Sequence, residues 1–213
     1  MATLYSLHPE NPQADRINKI VQALRNGAIM LYPTDTVYAI GCDLSVKSAI
    51  EKVRNLKRLS SDKPLTFLSP SLSKIASYAL VSDGAYRVMK RLIPGPYTFI
   101  LPATKLVPKL VMNPKRKTTG IRVPDHPISQ ALLEALGNPI ISTSAHLPDQ
   151  MEDFVDLYSL FDALESQVDL IIDDGSITPM GITSSIIDFT TDTPTLVRKG
   201  KGWQELQKNL HLN

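Results

Sequence analysis

Apolar residues recur at helical spacing early in the chain. Ile17, Ile20, Val21 and Leu24 form one stripe within residues 15–25, and Gly27 follows where a helix end favours a left-handed residue. The next stretch, 28–32, is almost wholly apolar and reads as a buried strand. Ser45 is placed to cap a second helix with Ala49, Ile50, Val53 and Leu56 on one face. Further strands are predicted at 65–68, 98–101, 120–123, 140–142, 169–172, 185–188 and 195–198. Helices are predicted at 72–79, 84–92, 128–136 and 154–164, the third of these stopping at Gly137. Strands and helices interleaved in this way predict an α/β fold with a mixed sheet.

One stretch departs from plain patterning. YPTDTVYAIGCD, residues 32–43, sets two threonines and an aspartate directly behind an apolar run and ahead of a glycine. Hydroxyls crowded at a strand exit either stabilise a turn or hold a ligand.

Length and composition narrow the picture. A chain of 213 residues with 43% hydrophobic content suffices for one domain spanning 1–213 with a sizeable core. No segment reaches the ~18 apolar residues of a membrane span, and MATLYSLHPENPQADR lacks the basic-then-apolar order of a signal peptide, so a cytoplasmic location away from membranes is expected. The single cysteine, Cys42, excludes an internal disulfide and reads as a small buried hydrophobe. Residues 102–117, rich in Pro and Lys, read as a mobile flap.

Net charge is only +2, but it is unevenly spread. Between Gly84 and Pro124 there are nine Lys or Arg and no acid, whereas Val123 to Val197 holds thirteen acids and no Lys or Arg. A basic stretch of this kind is either a solvated face or a surface for phosphates or RNA.

The chain has no GxGxxG, no GxxxxGK[ST] and no GxSxG arrangement. His8, His126, His146 and His211 lack metal-ligand spacing, so no metal-binding residues are assigned, and His126 in PDHP reads as a turn residue. What recurs is hydroxyl groups at strand ends together with scattered cations: Thr34, Thr36, Thr98, Ser142, Thr143, Ser144, Ser184 and Ser185, with Lys57, Arg58, Lys63, Arg122 and Arg198. Arg offers a planar fork to carboxylate or phosphate, Lys a point charge, and Ser and Thr both donate and accept. The set suits a small zwitterion beside a polyphosphate; taken singly, each hydroxyl would equally serve a turn or cap.

In order along the chain, PTDTVYAIGCD, KRLSSDKPL, PGPYTFIL, GIRVPDHP, STSAHLP, VDLIIDDG, SSIIDFT and LVRKG resemble the successive motifs of the YrdC/YciO family, the threonylcarbamoyl-AMP synthase family, in its single-domain form. The resemblance runs from about residue 18 to 202. It implies a single-domain twisted mixed sheet with flanking helices and a large basic concave cavity. It also implies a nucleotidyltransferase reaction, in which L-threonine, bicarbonate and ATP give threonylcarbamoyl-AMP and pyrophosphate with Mg²⁺ accompanying the phosphates. The product would serve partner proteins that modify a tRNA adenosine. Carried over by position, Thr36, Thr98, Arg122 and Ser142 would contact threonine, with Thr34 and Asp35 shaping the loop. Lys57, Lys63, Thr98, Ser144, Ser184 and Arg198 would face the nucleotide.

Where synthases of the family carry K-x-R and S-x-N, this chain reads Lys57-Arg58-Leu59 and Ser144-Ala145-His146, and Leu68 stands where some members have a histidine. The catalytic set on this reading is Lys57, Arg58, Ser144 and His146, and the departures resemble the YciO-like branch. Two alternatives stand beside the synthase reading. One is a protein that binds nucleotide or structured, double-stranded RNA with little or no turnover. The other, by fold analogy alone, is a carbamoyl-transfer or hydrolytic relative acting on acyl phosphates.

Overall fold

The computed structural model describes residues 1–146, 156–176, 181–191 and 193–210, with residues 209 and 210 described by their backbone alone. The strands are β1 (Thr3–Ser6), β2 (Met30–Tyr32), β3 (Ala39–Asp43), β4 (Thr66–Leu68), β5 (Tyr97–Pro102), β6 (Thr118–Arg122), β7 (Ile140–Ser144), β8 (Leu170–Asp173), β9 (Ser185–Asp188) and β10 (Thr195–Arg198). The helices are α1 (Ala14–Arg25), α2 (Lys47–Leu56), α3 (Leu72–Tyr78), α4 (Asp83–Leu92), α5 (Pro127–Leu136), α6 (Leu157–Leu164) and α7 (Trp203–Leu210). All ten strands join one twisted mixed sheet in the order β1-β8-β2-β3-β7-β4-β6-β5-β9-β10. Among the described residues no helix is long and apolar enough to cross a membrane.

Side chains alternate across a strand, so each strand divides its residues between two faces. On one face Leu31, Ile40, Cys42, Phe67, Phe99, Ile121, Ile141 and Ile187 build a core beneath α2, α3, α4, α6 and α7. On the other, Met30, Tyr32, Ala39, Leu68, Ile140, Leu170 and Ile172 pack against α1 and α5. The stripe Ile17, Ile20, Val21 and Leu24 is the buried side of α1, as the helical spacing requires. Two helices cannot cover half of a ten-stranded sheet. Beyond Leu68 that second face carries Thr66, Gly120, Arg122, Thr98, Ile186 and Arg198 in register, and it stays polar and open.

Several expectations change in the folded chain. The apolar run at 28–32 pairs only from Met30, and Ala39–Asp43 forms a separate strand antiparallel to it, so the PTDT stretch is the connection of a hairpin rather than a simple strand exit. Ser45 does not cap α2: its N–H and hydroxyl both bond to Asp43 Oδ1, and Val46 occupies the cap position. The predicted helix 154–164 is seen as Leu157–Leu164 capped by Asp156, residues 154–155 lying outside the described residues. Residues 102–117 are not a free flap. Val107 and Val111 are buried, the Ala79–Ala103 bridge pairs one end, and Leu65 N–H bonds to Val111 O at 2.9 Å. Apolar anchors at that spacing hold the segment down despite its lysines. Cys42 is buried, and burial, followed by the neighbouring charge of Asp43, pushes its thiol up to about 12.

Close packing on the site face depends on a glycine. A Cβ at Gly41 would lie 2.7 Å from the Ile141 carbonyl and 2.7 Å from the Tyr32 ring. Gly41→Ala is expected to lower stability by about 1–3 kcal/mol through overpacking. Gly84→Ala, on α4 with nothing within 4 Å, should raise it by about 0.5–1 kcal/mol. Urea unfolding of both variants checks the pair; equal effects would contradict it.

Candidate functional site

The open part of the second face is the floor of a cavity of about 200 Å³. A volume below the roughly 300–1,000 Å³ of a drug-sized site suits an amino-acid-sized group, with anything larger reaching outward. Its walls are the 33–38 hairpin loop, the segment from Leu59 to Leu65, and the strand end at Thr183 to Ile186 with Arg198 opposite. The lining holds nine Ser or Thr residues and three cations, Lys63, Arg122 and Arg198, and among the described residues no Asp or Glu.

Arg122 lies at the centre of the floor, its side chain 7% exposed. It donates from Nε to Gly95 O (3.3 Å), from Nη1 to Thr36 Oγ1 (2.8 Å) and from Nη2 to Asp35 Oδ1 (2.5 Å). The ion pair with Asp35 therefore straps the hairpin loop to β6. Thr34 tightens that loop from within, donating to Val37 O at 2.6 Å and accepting from the Thr36 N–H. Lys201 adds a bond to Asp35 O at 2.5 Å. Among the described residues the buried Asp35 Oδ2 has no hydrogen-bond partner.

Across the floor, Thr98 and Ser184 share a hydroxyl bond of 2.9 Å. Arg198 donates to Ser184 O from Nε and Nη2, at 3.1 and 2.8 Å. Burial first, and then the charge of Arg122, lowers the proton affinity of Arg198. Two guanidiniums that repel each other over hydroxyls form a site where an anion is favourable. On the near side, Tyr32 donates to Ser142 Oγ at 2.9 Å, and burial raises the proton affinity of its phenol. Thr66 comes so close over β6 that a Cβ at Gly120 would meet its hydroxyl at 2.7 Å.

Of the residues singled out in the sequence, Thr36, Lys63, Thr98, Arg122, Ser142, Ser144, Ser184 and Arg198 converge on the cavity, together with Thr34. Lys57, Arg58 and His146 are not among its lining residues. Lys57 Nζ instead donates to the carbonyls of Ser144 (2.9 Å) and His146, pinning the end of β7. Arg58 is exposed with φ 47°, the left-handed residue that ends α2, while Arg58 N–H bonds to Asn55 O and Leu59 N–H to Arg54 O. That pairing is a Schellman turn, and it sends Leu59 into the cavity wall where Arg58 does not reach. Leu68 lines the floor beside Arg122, its partner in register. Sequence reading missed Thr66 and Thr183. The alternation within LTFL carries the signal for Thr66, since it shares a face with Leu68.

His126 is more than a turn residue. It precedes α5, and its Nε2 lies 3.5 Å from Asp174 Oδ2, while Tyr38 donates to Asp174 Oδ1 at 2.8 Å. Burial works to raise the Asp174 carboxyl, yet hydrogen bonds from His126, Ser176 and Tyr38 hold it well below the usual carboxylate range. The three side chains tie the end of the hairpin loop to β8.

Burial, with the charge of Lys63 second, lowers Lys57 from 10.5 to about 8. Between these values the unfolded chain binds more protons, so stability rises as pH climbs from about 8 toward 10.5 and is lost as pH falls back through about 8. The stability difference between wild type and Lys57→Met is expected to grow in favour of wild type over pH 8–10 in urea unfolding. A difference constant with pH would refute it.

Known proteins share this sequence pattern and this fold. The Sua5/YciO/YrdC family profile, described as "Telomere recombination", matches residues 22–200. The uncharacterized protein YciO of Escherichia coli is 44% identical over 202 residues, 95% of this chain and 97% of that one. The threonylcarbamoyl-AMP synthase of Vibrio vulnificus is 33% identical over 187 residues, 86% of this chain and 98% of that one. The crystal structure of E. coli YciO superposes with a TM-score of 0.89, covering 99% of this chain and 100% of that one at 42% identity. P. abyssi Sua5 complexed with L-threonine gives 0.88 at 26% identity, covering 98% of this chain and 61% of that one. With the family's profile spanning both the hairpin loop and the Arg198 strand, and YciO shared over nearly the full length, the chain belongs to the Sua5/YciO/YrdC family.

Proposed function

We propose that the protein is an ATP-dependent, threonylcarbamoyl-AMP synthase-like enzyme, acting on L-threonine, bicarbonate and ATP. The observation that carries this reading is the cavity floor: two guanidiniums and a lysine set among hydroxyls, with no carboxylate in the described lining. Its likeness to Sua5, a relative whose structure holds L-threonine, supports the choice of amino acid.

In this reading bicarbonate supplies carbon dioxide with loss of water, the threonine amine takes it up and releases a proton to form a carbamate, and a carbamate oxygen attacks the α-phosphorus of ATP as pyrophosphate leaves. No protein nucleophile is needed; the cavity orients the reactants and neutralises charge. Thr36 and Ser142 would hold threonine. Arg122 has used three of its five N–H groups on the protein and would offer the rest to a carboxylate or carbamate. Thr98, Ser144 and Ser184 would meet the reacting phosphate, and Lys63 and Arg198 the remaining phosphates. Lys57 and His146 would act on the site by placing the end of β7. Mg²⁺ would accompany the triphosphate; among the described residues no group of three His, Cys, Asp or Glu is arranged to hold it, so no step is assigned to it. The product would be passed to tRNA-modifying partner proteins.

A second reading, binding of structured or double-stranded RNA with little turnover, is favoured by one feature. Exposed Lys105, Lys109, Lys115 and Lys117 lie on a segment bonded directly to the cavity wall through Leu65 and Val111. Such binding would weaken steeply with salt.

Mass spectrometry of nucleotide products decides between them. Threonylcarbamoyl-AMP formed only with ATP, Mg²⁺, bicarbonate and L-threonine together is the expected result. ATP binding without that product would overturn the synthase reading. Arg198→Ala is expected to weaken ATP on the order of tenfold or more and threonine little, and equal losses would remove Arg198 from the nucleotide.

A further inference from the structure

One buried cation lies outside the cavity. Arg54, 8% exposed on the last turn of α2, donates from Nη1 to Lys63 O and to Leu110 O, both at 2.9 Å, and from Nη2 to Ser60 O. Its own carbonyl accepts from Leu59 N–H at 3.0 Å. Among the described residues no carboxylate lies within ion-pair distance of it. A buried guanidinium whose nearby counter-charge, Asp62, lies beyond ion-pair distance is tolerated only while its donors stay satisfied, and here the acceptors are main-chain carbonyls. Two of them belong to the loop that carries Leu59 and Lys63 into the cavity wall; the third belongs to the 102–117 segment. Movement of either segment would strand the charge.

We propose that Arg54 is the positioning residue of this wall, locking the 59–65 loop and the 102–117 segment into one arrangement that aims Lys63 into the cavity. The planar fork is what permits it, because one side chain must reach carbonyls from two segments at fixed angles. The anchoring is independent of any ligand; only the choice of a polyphosphate as probe rests on the nucleotide reading.

Hydrogen exchange and titration with inorganic tripolyphosphate at low salt, on the full chain and on Arg54→Met and Arg54→Lys, test it. In Arg54→Met, exchange should rise in 58–65 and 107–112 together while β7 and α5 keep their protection. Tripolyphosphate affinity should fall about tenfold, the loss of roughly one charge-assisted contact. Arg54→Lys, which keeps the stem and charge and so folds even if the methionine variant does not, should loosen the same two segments to a smaller extent. Exchange that rises throughout the chain, or in only one of the two segments, would overturn the proposal, as would a loosened wall with unchanged affinity. If wild type itself binds no tripolyphosphate, the nucleotide reading fails, and exchange confined to the two segments still upholds the anchor.

Discussion

The site depends on one buried ion pair. Arg122 reaches from β6 into the hairpin loop, where Asp35 accepts one arm of its guanidinium and Thr36 the other. Removing either partner of such a pair leaves a buried charge uncompensated, typically at about 3–5 kcal/mol. The loop is thus held to the sheet by one of the two guanidiniums that give the cavity floor its charge. Its position passes onward through Tyr38 to Asp174 and His126, so the entrance of α5 and the end of β8 are referenced to it.

The floor exists because the sheet outgrows its cover. α1 and α5 protect the face around β2, β3 and β8, and the pattern of side chains changes where that protection ends. Ile140 faces these helices and Leu68 sits at the margin between them and the cavity, whereas Thr66 and Ser142, two residues along the same strands, face the cavity alone. An unpacked apolar face there would be a liability in water; a face of hydroxyls and guanidiniums is solvated until a ligand replaces the water. Glycines at 41 and 120 let Tyr32 and Thr66 approach the neighbouring strands more closely than any side chain there would allow.

The cations play unequal parts. Lys63, Arg122 and Arg198 line the cavity, while Lys57 and Arg54 spend their donors on main-chain carbonyls behind it. A cation near a site can serve the ligand or the frame, and the hydrogen-bond partners tell which. Here α2 and its C-terminal cap supply two frame cations, Arg54 and Lys57, and the left-handed Arg58 that follows turns a leucine inward. The wall facing the guanidiniums is accordingly more apolar than one built on K-x-R would be.

Local pattern alone determined the helices with a clear 3.6-residue stripe, the strands at 185–188 and 195–198, and the collection of hydroxyls and cations, most of which do converge. Those features are written into neighbouring residues, because periodicity and residue chemistry are local properties. Only the tertiary structure decided that 39–43 is a strand, since its side chains are buried on both faces and show no alternation. β1, largely exposed, becomes a strand only through its pairing with β8, more than 150 residues away. The same holds for the roles of Lys57 and Arg54. Which carbonyl a lysine or arginine meets is set by sheet register and loop packing, long-range contacts for which the local sequence carries no signal.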